Sequence, residues 1–348
     1  MNEFSIEGRQ LGQSFPPYII AELSANHNGS LEKALDTMVA IKNAGADAIK
    51  IQSYTPDTMT IESDMPGFLI EDGLWKGQSL YQLYSKAYTP FEWHKTLFDK
   101  ANELNITLFS SPFDESAVDL LESLNAPAYK IASFELVDLP LIAYVAKTGK
   151  PMIMSTGMAN LEEVSQAVQC AKHHGCKQLV LLHCISAYPS PIEQANLNSM
   201  NKLAEEFDCL VGLSDHSIGH LAAISATALG ASVIEKHVTL DRNDGGPDSS
   251  FSLEPQELKE LCEVTKQSHA ALGSSNIATQ QAEQTNLKFR RSVYFVQDLP
   301  AGCVIEAKHL RRIRPGYGLA PKELEQLIGK TLLKDVLRGT PTAWDLVK

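Results

Sequence analysis

The sequence predicts an α/β protein, a closed (β/α)8 barrel followed by a small β-rich C-terminal unit. Three observations carry that expectation. Eight short apolar runs alternate with helical stretches through residues 1–272, the pattern of successive β–α units. Nearly every run finishes on polar residues, where the strand ends of such a barrel form its active-site rim. Beyond that, the polar stretch GSSNIATQQAEQTN at 273–286 leads into a unit of different texture. An open doubly wound sheet is disfavoured because no GxGxxG turn opens the chain.

In order, strands are read at YIIAEL, AIKIQSY, TLFSSPF, AYKIAS, PMIMST, LVLLHC, LVGLSD and VIEKHVT. Between them lie helical stretches such as SLEKALDTMVAIKNAGA and LEEVSQAVQCAKHHG. In the former, Leu31, Leu35, Met38, Val39 and Ile41 make a 3.6-period face that ends at Gly45. One connection, from Thr55 to about Thr89, is unusually long and carries GLWKGQSLYQLYSKAY. Such a length in a compact domain signals a lid or binding loop, with a decorative insertion as the alternative. Residues 273–285 read as a linker and 286–348 as the small unit, with β-like runs at SVYFVQ, GCVIEA and LRRIRP and a brief helix at KELEQLIGK. That unit is too short to bury a large core alone, so it is expected to dock on the barrel or on another subunit.

Composition narrows the function classes. The 348 residues are 44% hydrophobic, enough for one large domain and a small one, and carry a formal charge of -12. Nucleic acid and anionic membrane surfaces are disfavoured as partners. The start, MNEFSIEGRQ, lacks the basic and apolar segments of a signal peptide, and no apolar run is long enough to span a bilayer. Six cysteines without a CxxC pair read as reduced thiols of a cytoplasmic protein.

The polar strand endings are where chemistry is expected: Glu22, Lys50 and Gln52, Ser110 and Ser111, Lys130 and Ser133, Ser155, His183, Asp215 and His216, Lys236 and His237. His216 and His237 end adjacent strands, a placement suited to sharing one divalent metal that keeps open positions for substrate oxygens. Hydrogen-bonded rim histidines are the alternative. Asp215 could be a ligand or an orienter of one. Lys50 and Lys130 lie inside apolar strands, where a lysine needs a partner: either a bound anion or a carboxylate such as Glu22 or Glu135. With hydroxyls from Ser111, Ser133, Ser155 and Ser214, the two lysines resemble a phosphate or carboxylate cradle. Glu22 could act as acid, base or orienter, and Asp248, in GGPDSS just after the second histidine strand, is well placed at the rim. The run CAKHHGC, in contrast, reads as the capped end of an outer helix, and HLRRIR as a solvated strand face.

Taken together, AELSANHNGS, AIKIQS, FSSPFD, YKIAS, STGM, CISAYP, GLSDH, EKH and GPDS occur in the order of the motifs of the sialic acid synthases. The chain resembles that family of nonulosonic acid synthases along essentially its whole length. The tail, FVQDLPAG followed by IRPGYG, resembles the family's C-terminal antifreeze-like (SAF, β-clip) domain. The resemblance implies condensation of phosphoenolpyruvate with an N-acylated deoxy-hexose. It implies that His216 and His237 bind a divalent metal, Mn2+ by preference, with Mg2+ or Co2+ as the other ions. It implies that Lys50, Ser111, Lys130, Ser133, Ser155 and Ser214 hold phosphoenolpyruvate, and that Glu22, Gln52, Tyr188 and Asp248 surround the sugar and reacting carbons. Arg314 would reach from the SAF domain of one subunit into the partner's barrel in a homodimer.

Two departures bear on the acceptor. Ser186 stands in CISAYP where the N-acetylneuraminate makers carry Asn, and Phe134 and Glu135 stand in ASFEL in place of an SGE type of motif. These positions face the sugar, so N-acetylmannosamine is a poor expectation. The long loop together with KIASFELVDLPLI is most similar to the pseudaminic acid synthase branch, whose acceptor is a 2,4-diacetamido-2,4,6-trideoxy sugar. The legionaminic acid makers share a preference for a diacetamido sugar. A keto-deoxy sugar phosphate synthase would need a second basic cluster, which is not evident. A non-catalytic sugar- or ice-binding protein, suggested only by the tail, would need no metal.

Overall fold

The computed structural model describes residues 3–65 and 67–348. The eight expected strands all form: β3 (Tyr18–Glu22), β4 (Ala48–Ser53), β5 (Thr107–Pro112), β6 (Tyr129–Ile131), β7 (Met152–Ser155), β8 (Leu179–Cys184), β9 (Leu210–Ser214) and β10 (Val233–His237). They run parallel and close into a barrel, with β10 beside β3. Helices follow the strands as read. Leu31–Ala44, for example, is capped by the Ser30 hydroxyl accepting from the Lys33 N–H and ends at Gly45 with φ +90°. Ahead of the barrel lies an unanticipated antiparallel hairpin of β1 (Phe4–Ile6) and β2 (Arg9–Leu11). Its strands have three residues each, too short to show a two-residue period.

Strand parity sorts the barrel's side chains, because successive residues face opposite sides of a sheet. Ile19, Ala21, Ile49, Ile51, Tyr129, Met152 and Ile234 belong to the core between strands and helices. Their neighbours Tyr18, Ile20, Ala48, Phe109, Ile153, Val180 and Val233 form a separate interior core that also includes Phe4, Ile6 and Leu11 of the hairpin. The hairpin therefore plugs the barrel end from which the strands start. Burying a side chain such as Ile6 is worth about 1.5–3 kcal/mol. The interior is tight: a Cβ on Gly212 would lie 2.2 Å from the Val233 carbonyl oxygen and 2.8 Å from Leu182, so β9 has no room there for a side chain.

The chain divides into two compact units, Met1–Gly273 and Ser274–Lys348. In the second, β11 (Ser292–Phe295) pairs with β12 (Leu310–Ile313). The run GCVIEA contributes only a single bridge, Val304 to Thr331, rather than a strand. A 3-10 turn at Pro321–Glu323 and a short helix at Leu324–Leu327 stand where a brief helix was expected. Val293, Phe295, Ile305, Leu327, Leu332 and Val336 are among the residues of the unit's own small core.

Candidate active site

Where the strands end, the barrel opens into a cavity of about 590 Å³. Continuing the inward parity of Ile20, Ala48 and Val233 by two residues brings Glu22, Lys50 and Glu235 inside. One further step on β10 brings His237. The lining includes Lys50, Gln52, Lys130, Ser133, Glu135, Ser155, Tyr188, Ser214, His216, His237 and Asp248, so most of the sequence-predicted residues converge on one space.

At its floor the charges interlock. Lys50 Nζ lies 2.9 Å from Glu22 Oε2 and 3.2 Å from Glu235 Oε1, and Lys130 Nζ lies 3.6 Å from the same Glu235 oxygen. Lys50 also donates to the Ser111 hydroxyl at 3.4 Å, and the Ser214 hydroxyl donates to Glu235 at 3.1 Å. Lys130 thus pairs with Glu235, not with Glu135. All four charged groups are buried, which is tolerable only because two cations face two anions. Burial pushes the Glu22 carboxyl up despite Lys50 beside it. Burial acts the same way on Glu235, but Lys130 and Lys50 outweigh it and hold that carboxyl down. Burial lowers Lys130, with Glu235 opposing. The pattern is a site that keeps ammonium groups in a dry place where an anion can reach them. Glu235 Oε2 and the Ser155 hydroxyl are buried there without a hydrogen-bond partner in the protein.

Above this floor stand the histidines, their ring centroids 5.4 Å apart. His216 Nδ1 meets the Ile185 carbonyl oxygen at 3.0 Å. A carbonyl can only accept, so Nδ1 carries a proton, and Nε2 is the nitrogen that could ligate a metal. His237 Nδ1 is buried without a hydrogen bond, and its nearest acid, Asp248 Oδ2, is 3.6 Å away. Burial and the neighbouring His216 hold His237 well below the usual histidine range, which keeps it neutral. No group of three or more His, Cys, Asp and Glu is arranged to hold a metal among the described residues. Burial lowers His216, but Cys184 beside it and the Ile185 carbonyl outweigh that and hold it above the usual histidine range. The neutral His237 with its orphaned Nδ1, beside His216, fits a divalent ion that takes its other ligands from water and substrate.

The remaining expected residues are also accounted for. Ser133 Oγ accepts from the Gly157 N–H at 3.1 Å. A Cβ on Gly157 would lie 2.3 Å from Ser186 Oγ and 2.7 Å from Ser133 Oγ, so the glycine of STGM makes room for both hydroxyls. Gln52 donates to Glu22 Oε1 at 3.1 Å and to Ser24 Oγ at 3.0 Å. The Tyr188 ring lies 4.4 Å from that of His216, tilted by 46°, and Phe251 lies 5.1 Å from His237. Arg314 is an exposed residue of the second unit, just after β12.

Several strand-end residues do not join the site. Ser110 bonds Ser53, which meets His94 Nε2 at 2.6 Å. His183 bonds the Ala195 carbonyl. Lys236 pairs with Asp215 at 2.9 Å and donates to the Ser217 and Gly219 carbonyls. The expectation of Asp215 as a ligand or as the orienter of one is thereby corrected: its oxygens serve Lys236 and Ser217. These strand residues have outward parity. Glu235 and Ser24, conversely, were not singled out as site residues. Parity in EKH could have found the first: if His237 faces inward, so does Glu235.

The long connection is not decorative. Thr58, Met59, Trp75, Leu83, Tyr84 and Ala87 line the cavity. Trp75 Nε1 donates to the Pro247 carbonyl at 3.0 Å, and its ring lies 5.8 Å from Tyr188. The wall it builds is mostly apolar and aromatic, unlike the charged floor.

The NeuB family matches residues 37–277 and the SAF domain residues 290–348. Pseudaminic acid synthase of Helicobacter pylori is 46% identical, over 95% of this chain and 97% of its own length. N,N'-diacetyllegionaminic acid synthase of Legionella pneumophila is 35% identical over 97% and 96%. The crystal structure of N-acetylneuraminic acid synthetase from Leptospira borgpetersenii in complex with citrate superposes with a TM-score of 0.74. It has 31% identity and covers 83% of this chain and 96% of that one.

Proposed function

This chain belongs to the NeuB family, and on that premise we propose that it is a pseudaminic acid synthase, a transferase that condenses phosphoenolpyruvate with 2,4-diacetamido-2,4,6-trideoxy-altrose and water to give pseudaminic acid and phosphate. The observation that carries this reading is the convergence of Lys50 and Lys130 with His216 and His237 on one cavity. The apolar wall from Trp75 and Tyr84 suits an acceptor with a deoxy carbon and two acetamido methyl groups.

The residues divide the work. Lys50 and Lys130 compensate the phosphate and carboxylate charge of phosphoenolpyruvate, and Ser155 and Ser214 supply hydroxyl donors. A divalent ion held by His216 and His237, Mn2+ by preference, supplies Lewis-acid polarisation of the acceptor's carbonyl oxygen when bound. Tyr188, Gln52 and Asp248 orient the open-chain sugar so that its aldehyde carbon faces C3 of phosphoenolpyruvate, where the new C–C bond forms. Glu22, buried with a raised pKa, takes the proton of the water that adds at C2. The C2–O bond then breaks and phosphate leaves with that oxygen. Arg314 completes the partner's site in a homodimer, and the enzyme works in the cytoplasm.

The test offers phosphoenolpyruvate with the diacetamido-altrose, the legionaminic precursor or N-acetylmannosamine after chelation and metal add-back, reading phosphate release and product mass. The expected result is metal-dependent turnover fastest with the first sugar. Faster turnover of either rival reassigns the acceptor, and turnover that survives chelation overturns the ion's role.

A further inference from the structure

Ser24 is buried two residues beyond β3, at the start of a 3-10 turn, in a left-handed conformation with φ +48°. A residue with a Cβ adopts that region reluctantly, whereas glycine enters it freely. What the serine adds is its hydroxyl. Gln52 Nε2 donates to Ser24 Oγ at 3.0 Å and to Glu22 Oε1 at 3.1 Å. Because the amide nitrogen can only donate, the Ser24 proton is directed onward, to Asp248 Oδ2 at 2.5 Å. That carboxylate oxygen faces His237 Nδ1 at 3.6 Å. The Ser24 backbone takes no part in this chain, so only the side chain explains why a β-carbon is tolerated there.

We propose that Ser24 is a positioning residue for this reaction, its hydroxyl locking the Asp248 carboxylate against the Gln52–Glu22 pair so that Asp248 meets the acceptor in one orientation. The inference rests on the synthase reading above. It adds that the Ser24 hydroxyl links the Glu22 and Asp248 sides of the cavity, beside the Ala25 N–H that also bonds the Asp248 carboxylate. Phosphoenolpyruvate binding, which depends on Lys50 and Lys130, is not expected to depend on it.

Two variants test this in the full-length, metal-loaded enzyme. Ser24→Gly removes the hydroxyl and relieves the backbone, and Ser24→Ala removes the hydroxyl alone. Both should lower kcat on the order of 100-fold, the scale of a misplaced reacting group. The KM for phosphoenolpyruvate should move less than about twofold, since uniform binding of that substrate is untouched. Ser24→Gly should melt no lower than wild type, and its crystal structure should show Asp248 turned from its present rotamer. A Ser24→Gly enzyme with wild-type kcat, or with Asp248 unmoved, overturns the proposal, because a serine needed only for the turn is replaceable by glycine. If the wild-type enzyme turns over none of the acceptors, the synthase reading fails, and the Asp248 rotamer alone decides the role of Ser24.

Discussion

The two ends of the barrel interior stand on the same strands, yet one is a plug and the other a site. Toward the strand starts, Tyr18, Ile20, Ala48, Val180 and Val233 pack with Phe4, Ile6 and Leu11 of the hairpin. Two residues further along the same strands, the inward positions become Glu22, Lys50 and Glu235. The change takes one step of the strand period and involves no change of backbone. Stability and function are therefore layered along the strand. The lower layer gains from burying apolar surface, whereas the upper layer holds desolvated charges whose mutual pairing contributes little net stability. Side-chain changes in the two layers should then fail in different assays.

The largest contrast is expected from His237→Ala. It removes one of the two imidazoles at the mouth and should cut phosphate release on the order of 10³-fold, about 4 kcal/mol of transition-state stabilisation. Its urea midpoint should stay close to wild type, because no hydrogen bond to His237 Nδ1 is lost. Turnover within tenfold of wild type would falsify the role given to the histidine pair. Ile6→Ala at the plug should behave in the opposite sense. It should lose about 2–5 kcal/mol of stability in a urea titration, the cost of emptying a buried aliphatic site. At temperatures where the variant is folded, its KM values should match wild type. A plug variant with altered KM would show that the two layers are coupled.

Which layer a residue belongs to was only half legible in the sequence. The strands themselves were plain, since parallel strands buried on both faces read as short apolar runs between turns. Polar residues at their ends could be seen as well, but facing could not, because a polar side chain fits inward to a cavity or outward to a partner. His183, Asp215 and Lys236 took the outward option. Lys236 is satisfied by Asp215 and two carbonyls, partners that come from the neighbouring strand end and the loop beyond it. Glu235 is the counterpart, an inward residue between two outward ones that lies at the centre of the lysine pair. The hairpin is not legible because its strands are short and its packing against residues such as Tyr18 and Ile20 is a long-range contact. Ser24 lay hidden in an ordinary-looking turn, since nothing local announces a hydroxyl that bonds a residue 224 positions away.

Within the upper layer, Glu235→Gln sharpens the comparison with a gain of function in binding. The four interlocked groups, two lysines and two glutamates, sum to no net charge. Neutralising Glu235 leaves one positive charge in a buried place and removes the carboxylate that competes with an incoming anion. Inorganic phosphate should then inhibit roughly tenfold more tightly, equivalent to about 1.4 kcal/mol. Turnover should slow as product release becomes limiting. Unchanged or weaker phosphate inhibition would show that Glu235 orients the lysines rather than competing for them.

The smallest effect concerns Glu135, at the cavity's edge, where burial raises the carboxyl pKa to about 7 against the pull of Lys130. A raised carboxyl pKa means that the folded protein prefers the protonated form. The sign follows: this group does not oppose folding below the ordinary carboxylate value of 4.5, and it costs progressively more stability as pH rises toward 7. Glutamine keeps the shape without the charge. Glu135→Gln should therefore melt like wild type near about pH 4.5 and above it by a few degrees near about pH 8, with the gap opening between those values. No equivalent pH-dependent gain is available at the plug, where Ile6 and Leu11 carry nothing to titrate. If the gap were constant with pH, the Glu135 carboxyl would titrate normally, and the edge of the cavity would be wetter than its floor.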